Sequence, residues 1–143
     1  MQDWQEKIKA LERDGLSVRV EKDGETIFQS TEPMLKPLLS CLQQRRQQMD
    51  GATVIDKIVG RAAAYLCVVG KVAAVITPLA SESAQAVLSS HGITLQAGRI
   101  TTQIQNRDKS GPCPMEQMAG GYKDAEAFYA ALLQRIQAAA KGR

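Results

Sequence analysis

The sequence predicts a mixed α/β fold, with helices on both faces of one sheet. Two β-rich runs within 17–28 are joined by Asp23-Gly24, the strongest short signal for a β-hairpin. Further along, the apolar runs 53–55 and 72–76 are separated by a helix-forming stretch. A strand, a helix and a strand in that order require parallel neighbours with a right-handed crossover. One sheet then contains both kinds of pairing, and helices cover its two faces.

Each element has its own local signal. The first helix carries Trp4, Ile8 and Leu11 on one stripe, and the run 72–76 lacks polar alternation, as expected for a central strand. In chain order, the predicted helices are 2–13, about 33–49, 61–70, 81–90 and about 123–140. The predicted strands are 17–21, 26–28, 53–55, 72–76 and 93–95, the last with an extension or successor at 100–104.

A few residues fix the predicted boundaries. The stretch 30–33 offers capping hydroxyls, an acid and a proline for the start of the second helix. The Thr-Pro pair at 77–78 is expected to end the central strand, because proline has no N–H to donate. Ser81 is expected to cap the next helix, and His91 to lie at its end.

Composition disfavours several functional classes. The chain has 143 residues, which suits one domain, and a net charge of +3. This small charge and an aromatic fraction of 4% disfavour nucleic-acid binding. No apolar run approaches the ~20 residues of a membrane span, and the charged N-terminus does not resemble a signal peptide. Three widely spaced cysteines form no disulfide framework, which favours a reducing cytoplasm.

The first candidate site lies where a strand ends and a helix begins. Asp56 and Lys57 follow the apolar run, and Gly60 and Arg61 open the helix. Backbone N–H groups at a helix start attract anions, glycine permits close approach, and the two cations add charge. This pattern predicts a pocket for an anion or nucleotide, with Asp56 orienting a hydroxyl or ammonium group. The alternative is that Asp56 ends a strand or caps a helix and Arg61 is a solvated side chain.

The second candidate site is the segment Pro-Cys-Pro-Met-Glu at 112–116. Proline suits the first helical position, so Pro114 places Cys113 at the N-cap and Glu116 at N3, where a carboxylate can reach back as in a capping box. A helix N-terminus favours thiolate, whereas a nearby carboxylate opposes it unless it accepts the proton. The pattern predicts a nucleophilic or redox thiol beside an acid. The alternative is a small buried cysteine inside a rigid proline turn.

Two weaker features complete the candidates. Asn106 and Arg107 lie in a polar, turn-prone stretch that is either a ligand contact or an ordinary surface loop. His91 is the one histidine and no acid or thiol lies beside it in sequence, so a role at the helix end is favoured over catalysis. With one histidine and dispersed cysteines we predict no metal site and no cofactor.

The stretches VIDKIVGRAAA (54–64) and NRDKSGPCPMEQ (106–117) resemble a family of small prokaryotic proteins of unknown function. Its members have the cytidine-deaminase-like fold. The resemblance spans nearly the whole chain and implies a three-layer α/β/α sandwich on a mixed five-stranded sheet. It also implies a single domain over 1–143, with a deaminase-like core at 1–104 and a loop and helix as a C-terminal extension at 105–143.

The zinc motifs of the deaminases are absent from this sequence. Those enzymes take their ligands from an H-x-E and a P-C-x-x-C motif at two helix starts. The first corresponding start, 30–33, has no histidine or cysteine, and neither has the second, 57–61. Pro112-Cys113 is similar to the second motif, but Glu116 stands in place of its second cysteine. The resemblance therefore suggests a pocket between the two helix starts without the metal.

We therefore predict an uncharacterised protein that binds a small anionic or nucleotide-like ligand, or a non-zinc enzyme with a cysteine nucleophile. The alternative is a non-catalytic binding or assembly module on the same scaffold. Neither nucleic acid nor a membrane is expected as a partner, and a homodimer is left open. The predicted catalytic residues are Cys113 and Glu116. The predicted ligand-binding residues are Asp56, Lys57, Gly60, Arg61, Asn106 and Arg107.

Overall fold

A computed structural model describes residues 4–104 and 114–141 of the chain. The helices are α1 (Trp4–Arg13), α2 (Lys36–Met49), α3 (Arg61–Gly70), α4 (Glu82–Ser90), α5 (Pro114–Gly120) and α6 (Ala125–Lys141). The strands are β1 (Val18–Lys22), β2 (Glu25–Ser30), β3 (Thr53–Asp56), β4 (Ile58–Val59), β5 (Ala74–Ser81) and β6 (Thr94–Thr101). No helix in these ranges has the length and apolar character needed to cross a membrane.

The strands form one mixed sheet in the order β2-β1-β3-β5-β4, and β6 pairs with β5. β1 runs antiparallel to both β2 and β3, whereas β3, β4 and β6 run parallel to β5. The predicted mixed α/β sandwich is confirmed. The described sheet has six strands, because the two-residue β4 adds to the five that the sequence indicates; a strand this short leaves no recognisable pattern.

Helices cover both faces of the sheet. Successive residues of a strand point to opposite faces, and Val54 and Ile55 of β3 belong to two separate apolar clusters. α1 packs against β3 and β5 on the face of the smaller cluster, where Leu11 meets Ile55 and Ile76. On the other face, α2, α3 and α4 cover the larger cluster, and α6 packs against the outside of α3. α3 is thus the central helix, with neighbours on several sides.

The predicted cap of α2 is wrong, and the predicted end of α3 is confirmed. α2 begins at Lys36 with Leu35 as its N-cap, and no side chain caps it. The hydroxyl of Ser30 instead accepts a hydrogen bond from the Glu32 backbone N–H at 3.0 Å, which closes a local turn before the helix. α3 ends at Gly70 as predicted, and the residue after it, Lys71, is left-handed with φ of 60°.

The central strand does not stop at the Thr-Pro pair but continues to Ser81. Pairing with β3 ends at Ile76 of β5, and pairing with β4 resumes at Leu79. Pro78 lies in the gap between these two partners, where the ladder requires no N–H from it. The predicted strands at 93–95 and 100–104 are one continuous strand, β6. Ser81 caps α4 as predicted, since its Oγ accepts from the Ala84 N–H at 3.0 Å.

Candidate functional site

The candidate site lies at the carboxyl edge of the parallel strands. α3 begins directly after β4, and α4 begins directly after β5, so the two helices start side by side at this edge. β3 and β4 pair one after the other along one edge of β5, and β6 occupies its other edge. Ligands of open α/β sheets bind outside the carboxyl ends of the strands, where helix N-termini present their N–H groups.

The N-terminus of α3 already carries an anion, the Glu116 side chain of α5. Its Oε1 accepts a hydrogen bond from the Arg61 backbone N–H at 2.7 Å, and its Oε2 accepts one from the Ala62 N–H at 2.9 Å. A β-carbon on Gly60 would overlap this carboxyl group. The expected close approach to Gly60 therefore occurs, and the approaching group belongs to the chain itself. Both oxygens of Glu116 serve α3 rather than the first turn of α5, where the sequence placed their role.

The Arg61 side chain makes the reciprocal connection from α3 to α5. Its Nε donates to the Ala119 carbonyl at 3.2 Å, and its Nη2 donates to the Tyr122 carbonyl at 2.9 Å. Its Nη1 donates to the Ser83 hydroxyl at 3.0 Å, and the guanidinium lies 5.0 Å from the centroid of the Tyr65 ring. Arg61 is therefore a structural clamp rather than a solvated side chain. Glu116 and Arg61 together hold α5 across the start of α3.

A cleft of about 310 Å³ opens beside this clamp, between α3, α4, α5 and the end of β6. Arg61 and Glu116 contribute its two charged side chains. The other polar side chains are Ser81 and Ser83 at the start of α4, Gln117 on α5, and Thr102 and Gln103 after β6. The volume lies at the lower end of the range typical for small-molecule pockets, roughly 300–1,000 Å³.

Asp56 lies in the protein interior at the end of β3. Its side chain is 6% exposed, and it pairs in register with Val18 of β1. Burial raises the pKa of Asp56 to about 7, and the backbone N–H groups of Ile58 and Lys57 act in the opposite direction. Asp56 and the exposed Lys57 are not part of the lining of the cleft, so their ligand-binding role stays a prediction.

The structure thus unites three of the predicted site residues, Gly60, Arg61 and Glu116. The predicted site residues Cys113, Asn106 and Arg107 lie outside the described residues. Sequence patterns did not predict a site role for the remaining polar residues of the cleft, which are Ser81, Ser83, Thr102, Gln103 and Gln117. The start of α4 could have indicated the two serines. A ligand site is expected where a strand ends and a helix begins, and this holds for β5 and α4 as it does for β4 and α3.

Residues that could bind zinc do not cluster in the described part of the chain, and Cys113 lies outside it. Residues 4–104 and 114–141 contain no group of three or more histidine, cysteine, aspartate or glutamate side chains able to hold a metal. Cys41 and Cys67 lie in the buried interior, and burial raises the pKa of Cys41 to about 11 and that of Cys67 further. His91 is at the opposite end of α4, with its Nδ1 2.9 Å from the Val87 carbonyl oxygen.

Comparisons with known proteins agree on one family. Residues 6–136 match the family model described as TM1506, a domain of unknown function (DUF1893). The crystal structure of a DUF1893 family protein, TM1506 from Thermotoga maritima, superposes with a TM-score of 0.83 at 24% identity. This match covers 92% of this chain and 88% of the other, so the two share one fold over nearly their full lengths.

Two crystal forms of RibD from Acinetobacter baumannii are more distant. They match at TM-scores of 0.50 and 0.47 with identities of 18% and 16%. Each match covers 66% of this chain and 34% of RibD. A comparison with curated proteins gave no match. On the family model that spans most of its length, the chain belongs to the DUF1893 family.

Proposed function

We propose that this protein binds a small polar molecule in the cleft between the starts of α3 and α4, on a scaffold of the cytidine-deaminase type. The observation that carries the proposal is the convergence of three helices and a strand end on one polar cleft of about 310 Å³. The scaffold assignment rests on the resemblance of 54–64 and 106–117 and on the three-layer arrangement of the mixed sheet.

The position of the cleft supports binding. It lies at the carboxyl edge of the parallel strands, where β4 and β6 flank the end of β5. Its lining mixes hydroxyl, amide and charged groups, which orient a ligand through hydrogen bonds. The clamp formed by Arg61 and Glu116 fixes α5 against α3, so the walls are held in position before a ligand arrives.

Binding does not require a catalytic step. The described lining contains no thiol and no imidazole, so the groups present suit recognition rather than nucleophilic attack. Cys113 remains the predicted nucleophile of the enzyme alternative, because it directly precedes the first residue of α5. The binding proposal stands whether or not Cys113 reacts.

The test is a ligand screen by amide chemical shifts in the full chain. Small polar compounds are added to the labelled protein, and compounds that bind in the cleft should shift the amides of residues 81–84 and 116–120. Ser83→Ala should weaken binding of the same compounds, whereas Ser90→Ala should not. Ser90 is the matched control because its hydroxyl binds the Val87 carbonyl at the far end of α4. A panel in which every shift falls outside the cleft contradicts the proposal.

A further inference from the structure

The two charged side chains of the cleft already have hydrogen-bond partners within the protein. Glu116 accepts two N–H groups, and Arg61 uses three of its N–H donors on Ala119, Ser83 and Tyr122. The described lining contains no other ionisable side chain, so its formal charge sums to zero. Among the described residues of the lining, a free anion would meet the Glu116 carboxylate without a surplus cation to offset it.

Two hydroxyl groups of the lining, those of Ser81 and Ser83, each accept a hydrogen bond and keep a proton to donate. Ser81 is 1% exposed and its Oγ accepts from the Ala84 N–H. The Oγ of Ser83 accepts from Arg61. Each oxygen is thus used as an acceptor, and within the described part of the chain neither hydroxyl has an acceptor for its own proton. A nearly buried donor without an acceptor is costly unless a ligand or water accepts from it.

The opposite wall offers acceptors. Each Glu116 oxygen receives one backbone N–H and retains a lone pair, and Gln117 presents an amide that both donates and accepts. The cleft therefore presents hydroxyl donors from α4 and carboxylate and amide acceptors from α5. A ligand hydroxyl can satisfy both walls, since it accepts from one group and donates to another.

We infer that the cleft takes an uncharged polyhydroxy compound, either a free monosaccharide or the sugar portion of a neutral glycoside. This inference rests on the proposed function and adds the class of ligand. It replaces the expected anion with a neutral molecule, because the chain provides its own anion at the start of α3.

The test compares neutral and anionic probes on the full chain at constant ionic strength. The probes are ribose, glucose and their methyl glycosides, against inorganic phosphate and sulfate. At least one neutral probe should give saturable amide shifts at residues 81–84, and both anions should give none there. Binding by the methyl glycosides alone assigns the glycoside source, and binding by the free sugars assigns the monosaccharide source.

Variants then locate the contact. Ser83→Ala should weaken the neutral probe by about fivefold, the amount expected for one net hydrogen bond, and Ser90→Ala should leave its affinity unchanged. Gln117→Ala provides a second variant on the opposite wall should Ser83→Ala disturb the Arg61 clamp. Phosphate or sulfate binding in the cleft without the neutral probes overturns the inference but leaves the proposed function intact. If polar compounds of every class fail to bind there, the proposed function itself falls.

Discussion

Replacing Glu116 by alanine should destabilise the protein by about 2–4 kcal/mol. The carboxylate accepts the Arg61 and Ala62 N–H groups at 2.7 and 2.9 Å. Hydrogen bonds to a charged group stabilise by about 1.5–3 kcal/mol each, and helix N-termini add a favourable charge interaction. Glu116 is half-buried, so water would partly replace the lost acceptor, and the full sum is not expected. The free energy of unfolding is measured by urea titration followed by circular dichroism.

Glu126→Ala is the matched control for this prediction. Glu126 accepts from Arg46 at 2.9 Å, but the two side chains are 59% and 44% exposed, so its removal should cost no more than about 1 kcal/mol. Glu116→Gln retains one acceptor oxygen and should fall between wild type and Glu116→Ala. The capping role of Glu116 is refuted if Glu116→Ala costs no more than Glu126→Ala.

Three further predictions concern neighbouring features. Gly60→Ala should lower the free energy of unfolding of the wild type, because the added methyl group would overlap the Glu116 carboxyl group. The loss should be smaller in a Glu116→Ala background. Equal losses in this double-mutant cycle would show that the two residues are not coupled. Burial raises the pKa of Asp56 from 3.8 to about 7, so the contribution of Asp56 to stability should be most favourable below about pH 4, fall as the pH rises to about 7, and level off above. At about 1.4 kcal/mol per pH unit the loss is at most about 4 kcal/mol, and Asp56→Asn should remove it; the same pH slope in the variant would exclude Asp56 as its source. If Cys113 is a nucleophile, it should be alkylated faster at neutral pH than a free thiol in a peptide, and an ordinary rate would leave only the structural alternative.

Local sequence patterns were enough to predict the layers of the fold. The hairpin, the apolar central strand and the helix stripes each depend on residues within a few positions of one another. The path of the central strand through Pro78 was not predictable in this way, because proline is tolerated there only through the gap between β3 and β4. That gap is a property of three strands together, and a rule about proline in one strand cannot include it.

The candidate site was also predictable only in part from local sequence patterns. The glycine at the start of a helix predicted that another group, expected to be a ligand, approaches the backbone of Gly60 closely. In the structure this group is the carboxylate of Glu116. Local patterns could not predict its identity, because Glu116 and Arg61 are 55 residues apart in the chain. Within its own segment Glu116 fits the first turn of α5, and its contact with α3 appears only once α5 is packed across that helix. The same holds for Arg61, whose carbonyl partners Ala119 and Tyr122 have no signal in a local pattern.

The most direct test of the binding cleft is to map the amide shifts caused by the neutral sugar that binds most strongly. The expected result is a saturable set of shifts confined to the start of α3, residues 81–84 and residues 116–120, and weakened by Ser83→Ala. Shifts centred on α1 and the sheet face that it covers would contradict the assignment of the cleft as the ligand site.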